Sequence, residues 1–262
     1  MIPWYVRSFG REYLELYPHR DDAEARADVD AIIALIDPPK DEPLLDLGCG
    51  AGRHLVALHR AGFRNVVGLD LSAELLAVAT ERLAEVGTDE IRLVNADMAD
   101  IPYEEYFGTV LSLFTSFGYF ERDEENAAVF AAVWRATAPK GRFLIDYFNR
   151  DSVIANLVDR EERVVAGRRV RIDRRLTPDG RRVEKTTRLL GPEGEEKTYH
   201  ESVRLYSPSE MDRMLTAEGF VNIRRFGSLR GALHCPESPR LIVVAEKGGT
   251  RAGEARRATR LS

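Results

Sequence analysis

The chain has little cysteine: two residues in 262, Cys49 and Cys235. They lack any paired spacing, which excludes a disulfide framework and a cysteine zinc site. Unpaired thiols point to a reducing, cytoplasmic setting, and no metal site is expected. No run approaches eighteen apolar residues, so a transmembrane helix is excluded. Met1–Arg7 lacks a basic stretch followed by an apolar one, which predicts no secretory signal. Excess positive charge is also absent. Lys and Arg number 38 against 43 Asp and Glu, a net charge of −5, which argues against bulk attraction to nucleic acid or to anionic membrane.

Two nucleotide signatures are missing as well. No Gly-Lys-Ser/Thr occurs, so there is no P-loop. No G-x-G-x-x-G occurs either: Arg53 stands three places after Gly50, and the third glycine, Gly52, comes one residue early. What is present is a 44% hydrophobic, 31% charged composition, that of a soluble globular chain. Its length suits one large domain or a domain carrying an insertion.

The periodicity alternates between two kinds of segment. Asp21 to Ile36 has helical spacing and is stopped by Pro38-Pro39. Short apolar strands are predicted at Pro43–Leu47, Val66–Leu69, Ile91–Val94, Thr109–Leu113 and Phe143–Tyr147. Between them lie helical patterns at Arg53–Ala61, Ala73–Val86 and Glu124–Thr137. Strands alternating with amphipathic helices predict a parallel sheet covered on both faces. After Asn149 the texture changes to polar–apolar alternation around Arg169–Asp173, Val183 and Tyr199–Tyr206, broken by the turn signal Thr177-Pro178-Asp179-Gly180. This predicts an inserted antiparallel meander. The first pattern then resumes. Ser207-Pro208-Ser209-Glu210 is a capping box with proline at the first helical position, Gly219 is the expected C-cap, and Val221–Phe226 and Leu241–Ala245 are closing strands. The expected organisation is an N-terminal lid and first helix (1–40), an α/β domain (41–150 and 207–247), an inserted β flap (151–206) and a disordered tail (248–262).

The most informative segment is Leu44-Leu45-Asp46-Leu47-Gly48-Cys49-Gly50-Ala51-Gly52. A buried strand enters a glycine-dense turn that opens a helix, and glycines permit positive φ and close approach of backbone to a ligand. A tight strand-to-helix turn needs glycine whatever it binds. The signal sharpens because Asp70 ends the second strand and Asp97 follows the third. Three acids then occupy the carboxyl edge of adjacent strands, where open α/β sheets bind ligands. Carboxylates accept hydrogen bonds from hydroxyls and amines, which fits a ligand bearing a ribose diol and an amine better than a pyrophosphate.

On these motifs the chain resembles the class I S-adenosylmethionine-dependent methyltransferases, over roughly residues 40–150 and 207–246. Within that likeness, Asp46-x-Gly48-x-Gly50-x-Gly52 is similar to the motif that cradles the methionine part of the cofactor, with Cys49 inside the turn. Asp70 matches the acid that holds the ribose hydroxyls, with Leu71 next to it. Asp97 matches the acid facing the adenine amine, with Met98 beside the ring. The resemblance implies a Rossmann-like, seven-stranded, mostly parallel sheet with helices on both faces and an inserted antiparallel flap. It further implies S-adenosylmethionine as cofactor and S-adenosylhomocysteine as product.

The segment after the fourth strand, Phe114-Thr115-Ser116-Phe117-Gly118-Tyr119, resembles the Phe-Ser-Ser-Ile-Gly-His run of small-molecule N-methyltransferases of the aminosugar type, with Tyr119 in place of His. Phe114 and Phe117 suit either the cofactor cleft or core packing. No Asp/Asn-Pro-Pro-aromatic motif of base or glutamine methylation is present. In similar enzymes a tyrosine-bearing N-terminal lid covers the cofactor, which nominates Tyr13, Tyr17 and Arg20; packing on the first helix is the alternative. Arg53 and His54 suit either the ligand or a solvated helix start. In the insert, Arg160 to Arg188 carries eleven Arg or Lys against five Asp or Glu. That surplus reads either as a solvated sheet face or as a patch for an anionic substrate, with His200 and Arg204 directed into the cleft.

Methyl transfer from a sulfonium is an in-line displacement needing alignment and exclusion of water, with neither metal nor covalent nucleophile. An amine acceptor must be neutral, and Tyr119, His200 and Tyr147 are candidates to orient it or take its proton. The expected function is methyl transfer to a small molecule at nitrogen, with oxygen next, by a monomer or homodimer. The alternatives are an RNA or protein methyltransferase using the basic insert, a non-catalytic cofactor-binding protein, and, less favoured, a dehydrogenase.

Overall fold

A computed structural model describes residues 3–16, 21–165, 167–191 and 195–249. Short helices α1 (Trp4–Ser8) and α2 (Arg11–Leu16) precede α3 (Asp22–Ile36), which Asp21 caps by accepting from the Glu24 amide at 2.9 Å. Strands β1 (Leu44–Leu47), β2 (Val66–Asp70), β3 (Arg92–Asn95), β4 (Phe107–Ser112) and β5 (Thr137–Phe148) alternate with α4 (Arg53–Arg60), α5 (Ala73–Glu85) and α6 (Asp123–Ala136). After α7 (Arg150–Ala155) come β6 (Arg160–Val165), β7 (Arg168–Leu176), β8 (Arg182–Leu190) and β9 (Glu196–Arg204). Then α8 (Pro208–Glu218), β10 (Phe220–Phe226) and β11 (Arg240–Lys247) return to the first sheet.

That sheet has seven strands in the order β10-β11-β5-β4-β1-β2-β3. β11 runs antiparallel to both neighbours, and the other pairs are parallel. The period-2 pleat divides its side chains strictly between two cores. Leu44, Val66, Leu111, Leu144 and Ile242 face α3, α4 and α5. Leu45, Val67, Val110, Phe143 and Val243 face α6 and α8. Helix cover on both faces is why these strands read as near-continuous apolar runs. The α8 start and stop follow their motif: the Ser207 hydroxyl accepts from the Glu210 amide, the Glu210 carboxylate accepts from the Ser207 amide at 2.8 Å, and Gly219 takes φ +96°.

The second sheet, β6-β7-β8-β9, is wholly antiparallel. The sequence predicts three strands here and the structure has four. β6 was hidden because its alternation, Arg-Glu-Glu-Arg-Val-Val, buries no residue fully. A small cluster of Val170, Ile172 and Leu189 is completed by Leu16 of α2, so the N-terminal segment supplies part of this sheet's core. Of the expected tail, residues 250–262 lie outside the described residues, as do Tyr17 and Arg20. Among the described residues no helix is long and apolar enough to cross a membrane.

Candidate active site

The strand order reverses direction between β1 and β4, and the carboxyl ends of β1 to β4 open there into a cavity of about 880 Å³. Its floor is the turn after β1. Gly48, Gly50 and Gly52 all take positive φ, +79°, +53° and +76°, where an L side chain is strained. A Cβ on Gly48 would come within 2.7 Å of Ser116, and one on Gly52 within 2.9 Å of Ala79. At Gly50 the nearest atom would be Leu75 Cδ1 at 3.9 Å, so this residue faces the cavity with free space above it.

Asp70 organises the turn. One carboxylate oxygen accepts from the Gly50 amide at 2.8 Å, the other from the Ser72 amide at 2.8 Å. Each oxygen keeps a further lone pair for a ligand hydroxyl. Burial raises its pKa, against the lowering effect of these amides. Asn95 fixes the strand end by donating to the carbonyls of Asp70 and Leu71 at 3.0 and 2.8 Å. Asp97 accepts from the Ala99 amide at 2.8 Å, and it lines the cavity together with Leu71, Cys49 and Met98. Burial places the Cys49 thiol well above its ordinary pKa.

Asp46 is different: it is 1% exposed and does not line the cavity. Burial pushes its pKa up to about 6, with His54 and Arg53 pulling it down and Asp70 adding to the rise. Its Oδ2 has no hydrogen-bond partner among the described residues. A buried acceptor left without a partner is costly, and Asp46 lies behind the cavity lining, against the expectation that it meets the ligand. The open face at Gly50, the spare lone pairs on Asp70 and the Asp97 carboxylate in the lining fit a cofactor offering hydroxyl and amine donors.

The opposite wall comes from the segment after β4 and from α1 and α2. Phe114 and Thr115 are consecutive non-glycine residues at φ +55° and +61°, a costly conformation. Asp146 holds them there by accepting from the Phe114 amide at 3.1 Å through its carboxylate and from the Thr115 amide at 2.9 Å through its carbonyl. Arg240 donates to the same carboxylate at 2.6 Å. The bend separates the two phenylalanines. Phe114 lines the cavity under the Arg53 guanidinium, 4.0 Å from its ring centre. Phe117 is core, stacked on Phe130 at 4.5 Å. Arg53 pairs with Glu24 at 2.5 Å and His54 contacts Asp28 at 3.2 Å. Tyr119 lines the cavity within a group of rings: Trp4 at 5.0 Å, Phe9 at 5.5 Å and Tyr5 at 6.4 Å. Tyr13 joins the lining and meets Phe9 edge-on at 5.0 Å.

Three sequence expectations are corrected. His200 is exposed on β9, within 3.2 Å of the Thr186 hydroxyl, and is not among the lining residues. Arg204 does not enter the cleft. It is 3% exposed and ties the flap to the α/β domain by bonding Asp123 at 3.2 Å and Glu210 at 2.8 Å. Tyr147 is fully buried and donates to the Arg204 carbonyl, and burial raises its phenol far above the ordinary value. None of these three is placed to touch an acceptor. The flap's basic surplus is also largely consumed internally: Arg160–Asp173, Arg174–Glu161, Arg175–Glu184 and Lys185–Glu201 are ion pairs. Sequence reasoning passed over Trp4, Tyr5 and Phe9. The available signal was four aromatic residues, with Tyr13, in the first thirteen, several of them four apart.

Residues 44–141 match the family model described as a methyltransferase domain. Over that stretch the chain is similar to S-adenosylmethionine-dependent methyltransferases. Among curated relatives, a dTDP-3-amino-3,4,6-trideoxy-alpha-D-glucopyranose N,N-dimethyltransferase from Streptomyces venezuelae is 32% identical over 134 residues, which is 49% of this chain and 54% of the relative. The chain thus spans about half the length of that relative. Among solved structures, S-adenosylmethionine-bound CalS10, an amino pentose methyltransferase from Micromonospora echinaspora, is 27% identical with a TM-score of 0.65, covering 90% of this chain and 97% of that one. The CcbJ methyltransferase from Streptomyces caelestis shares the fold at a TM-score of 0.77 and 17% identity, covering 93% and 98%.

Proposed function

We propose that the whole chain transfers a methyl group from S-adenosylmethionine to a nitrogen of a small molecule, with amino sugars as the first class to test. The observation that carries this reading is one cavity lined by Asp70 and Asp97 on one side and by Tyr119 and the N-terminal rings on the other. Its volume lies in the upper part of the range of small-molecule sites, room for a cofactor and a compact acceptor. The aminosugar methyltransferases among the relatives support the choice of nitrogen.

Bound S-adenosylmethionine supplies a methyl group on a positively charged sulfur. The chain's own residues hold, orient and exclude water. In this reading the Gly48–Gly52 turn takes the methionine portion with Asp46 buried behind it, Asp70 the ribose hydroxyls, and Asp97 the adenine amine beside Met98 and Leu71. Phe114 and Tyr13 close over them, and Tyr119 orients the acceptor. Residues 1–40 act as lid and first helix, 41–150 and 207–247 as the cofactor domain, and 151–206 as the substrate flap.

Calorimetry with S-adenosylmethionine should give saturable binding that Asp70→Ala abolishes; normal binding by that variant would sink the assignment. Incubating the chain and cofactor with dTDP-linked sugars bearing a 3-amino or a 3-methylamino group should add methyl mass to the sugar. An RNA acceptor would instead require nucleic-acid affinity falling steeply with salt, read by electrophoretic shift at low salt.

A further inference from the structure

The aromatic group in the cavity lining has more rings than the cofactor reading uses, which takes only Tyr13 from it. Four rings on two separate segments converge there: Tyr5 and Phe9 from α1 and the residue after it, Tyr13 from α2, and Tyr119 from the segment after β4. All are half-buried. The Tyr119 ring lies near-parallel to Phe9 (29°) and to Tyr5 (24°), with Trp4 edge-on to it. Ring faces carry negative electrostatic potential and attract cations that have little hydration to lose.

The local field has the same sign. Asp97 lines this cavity, and the Tyr5 phenol is raised by burial first and then by Asp97 and Glu125. The arginines of the lining, Arg53, Arg60 and Arg82, belong to α4 and α5. They lie against Glu24 at 2.5 Å and against Asp22 at 3.8 and 3.4 Å. Tyr119 is also held in place from behind. Arg182 of β8 donates to the Phe120 carbonyl at 2.9 Å and to the Ser202 carbonyl at 2.8 Å, and the Arg204 amide donates to the Gly118 carbonyl at 2.8 Å. A ring fixed by its backbone is preorganised to receive a ligand.

We propose that Tyr5, Phe9, Tyr13 and Tyr119 form a binding site for an alkylated ammonium group: the acceptor class is an amine already carrying carbon substituents, whose neutral nitrogen bonds the methyl carbon as the sulfur–carbon bond breaks to leave S-adenosylhomocysteine, and the methylated ammonium product is held by the same rings. This deepens the small-molecule N-methyltransferase reading and rests on it. A bare primary ammonium is strongly hydrated and gains less from ring faces, whereas an N-alkylated one presents a spread, weakly hydrated charge.

Choline and its neutral isostere 3,3-dimethylbutan-1-ol separate charge from shape. Ligand-observed NMR titration of the full chain, with S-adenosylhomocysteine present and absent, should show choline binding about five- to thirty-fold more tightly than the alcohol. Tyr119→Leu and Phe9→Leu should collapse that ratio towards one, and Tyr119→Phe, which keeps the ring, should retain it. Equal affinities for the two probes, an unchanged ratio in Tyr119→Leu, or no binding of either probe would overturn the proposal. Parallel calorimetry with S-adenosylhomocysteine keeps the two readings apart. A chain that binds the cofactor product but shows no choline preference loses only this inference, whereas one that fails to bind it loses the methyltransferase reading too.

Discussion

β1 and β4 bury every residue they contain, whereas β6 buries none fully and alternates exposed with half-exposed positions. Both belong to sheets of regular pairing, but the sheets are stabilised differently. The seven-stranded sheet lies between two apolar layers, and its strands gain from non-directional burial, roughly 25 cal/mol per Å² of apolar surface. The four-stranded flap has a core of Val170, Ile172, Leu189 and Leu16 and a lattice of exposed ion pairs, each of which contributes little. The rigid sheet presents the acids and glycines that must keep their geometry. The flap, cored in part by the N-terminal segment, bonds Ser8 of α1 and the Phe120 carbonyl, and none of its described residues lines the cavity.

The sharpest test of that contrast is in the cores. Leu45→Ala, at a fully buried position of β1, should cost about 4 kcal/mol. Val170→Ala in the flap should cost about half of that, read by chemical denaturation. If the flap substitution is the costlier, the contrast fails. Arg204→Met should cost about 3 kcal/mol, because it removes the buried cation that ties the flap to Asp123 of α6 and Glu210 of α8, leaving Asp123 with Arg181 alone. Both carboxyls sit below their ordinary pKa. The stability they confer is present above the unfolded value and is lost as pH falls through the folded one. The wild-type advantage over Arg204→Met should therefore shrink on acidification.

A binding effect of comparable size is expected at Asp70. Removing a carboxylate that holds the turn and offers two spare lone pairs should weaken S-adenosylmethionine at least about hundredfold by calorimetry. Asp46 carries the opposite sign of pH dependence. Its pKa rises from 3.8 to about 6 on folding, so it favours the folded state below pH 4 and that contribution is lost as pH climbs to 6. Asp46→Asn should thus be more stable than wild type at pH 7 by about 3 kcal/mol. The difference should vanish below pH 4, while cofactor affinity falls. Equal pH–stability curves would remove the buried-charge account. The smallest effect is expected at Arg175→Ala. Its 79% exposed side chain pairs with Glu184 at the flap surface, and the loss should stay below about 0.5 kcal/mol in a thermal melt.

The alternating strands, the Gly48–Gly52 turn and the acids at 46, 70 and 97 were legible because each is a local signal. Continuous apolar runs mark strands covered on both faces, and only glycine takes three left-handed positions within five residues without strain. The capping box at Ser207 and the C-cap at Gly219 were legible for the same reason. β6 was not, since alternating Arg, Glu and Val is also the pattern of an exposed loop. His200, Arg204 and Tyr147 were misplaced because which face of a strand meets a cavity depends on the partner's register and on what packs across it. The rings of Trp4, Tyr5 and Phe9 carried a compositional signal but no periodic one, because α1 spans only five residues.

The sequence by itself determined the cofactor half: a parallel sheet, a glycine turn and acids at the carboxyl ends of successive strands, all encoded within a few residues of one another. Only the tertiary structure decided the opposite wall of the cavity. Phe114 and Phe117 stand three positions apart, yet the left-handed pair Phe114–Thr115, held by Asp146 and Arg240 from distant strands, turns one into the cavity and the other into the core. Long-range hydrogen bonds set that bend, and the rings that meet Tyr119 come from more than a hundred residues away.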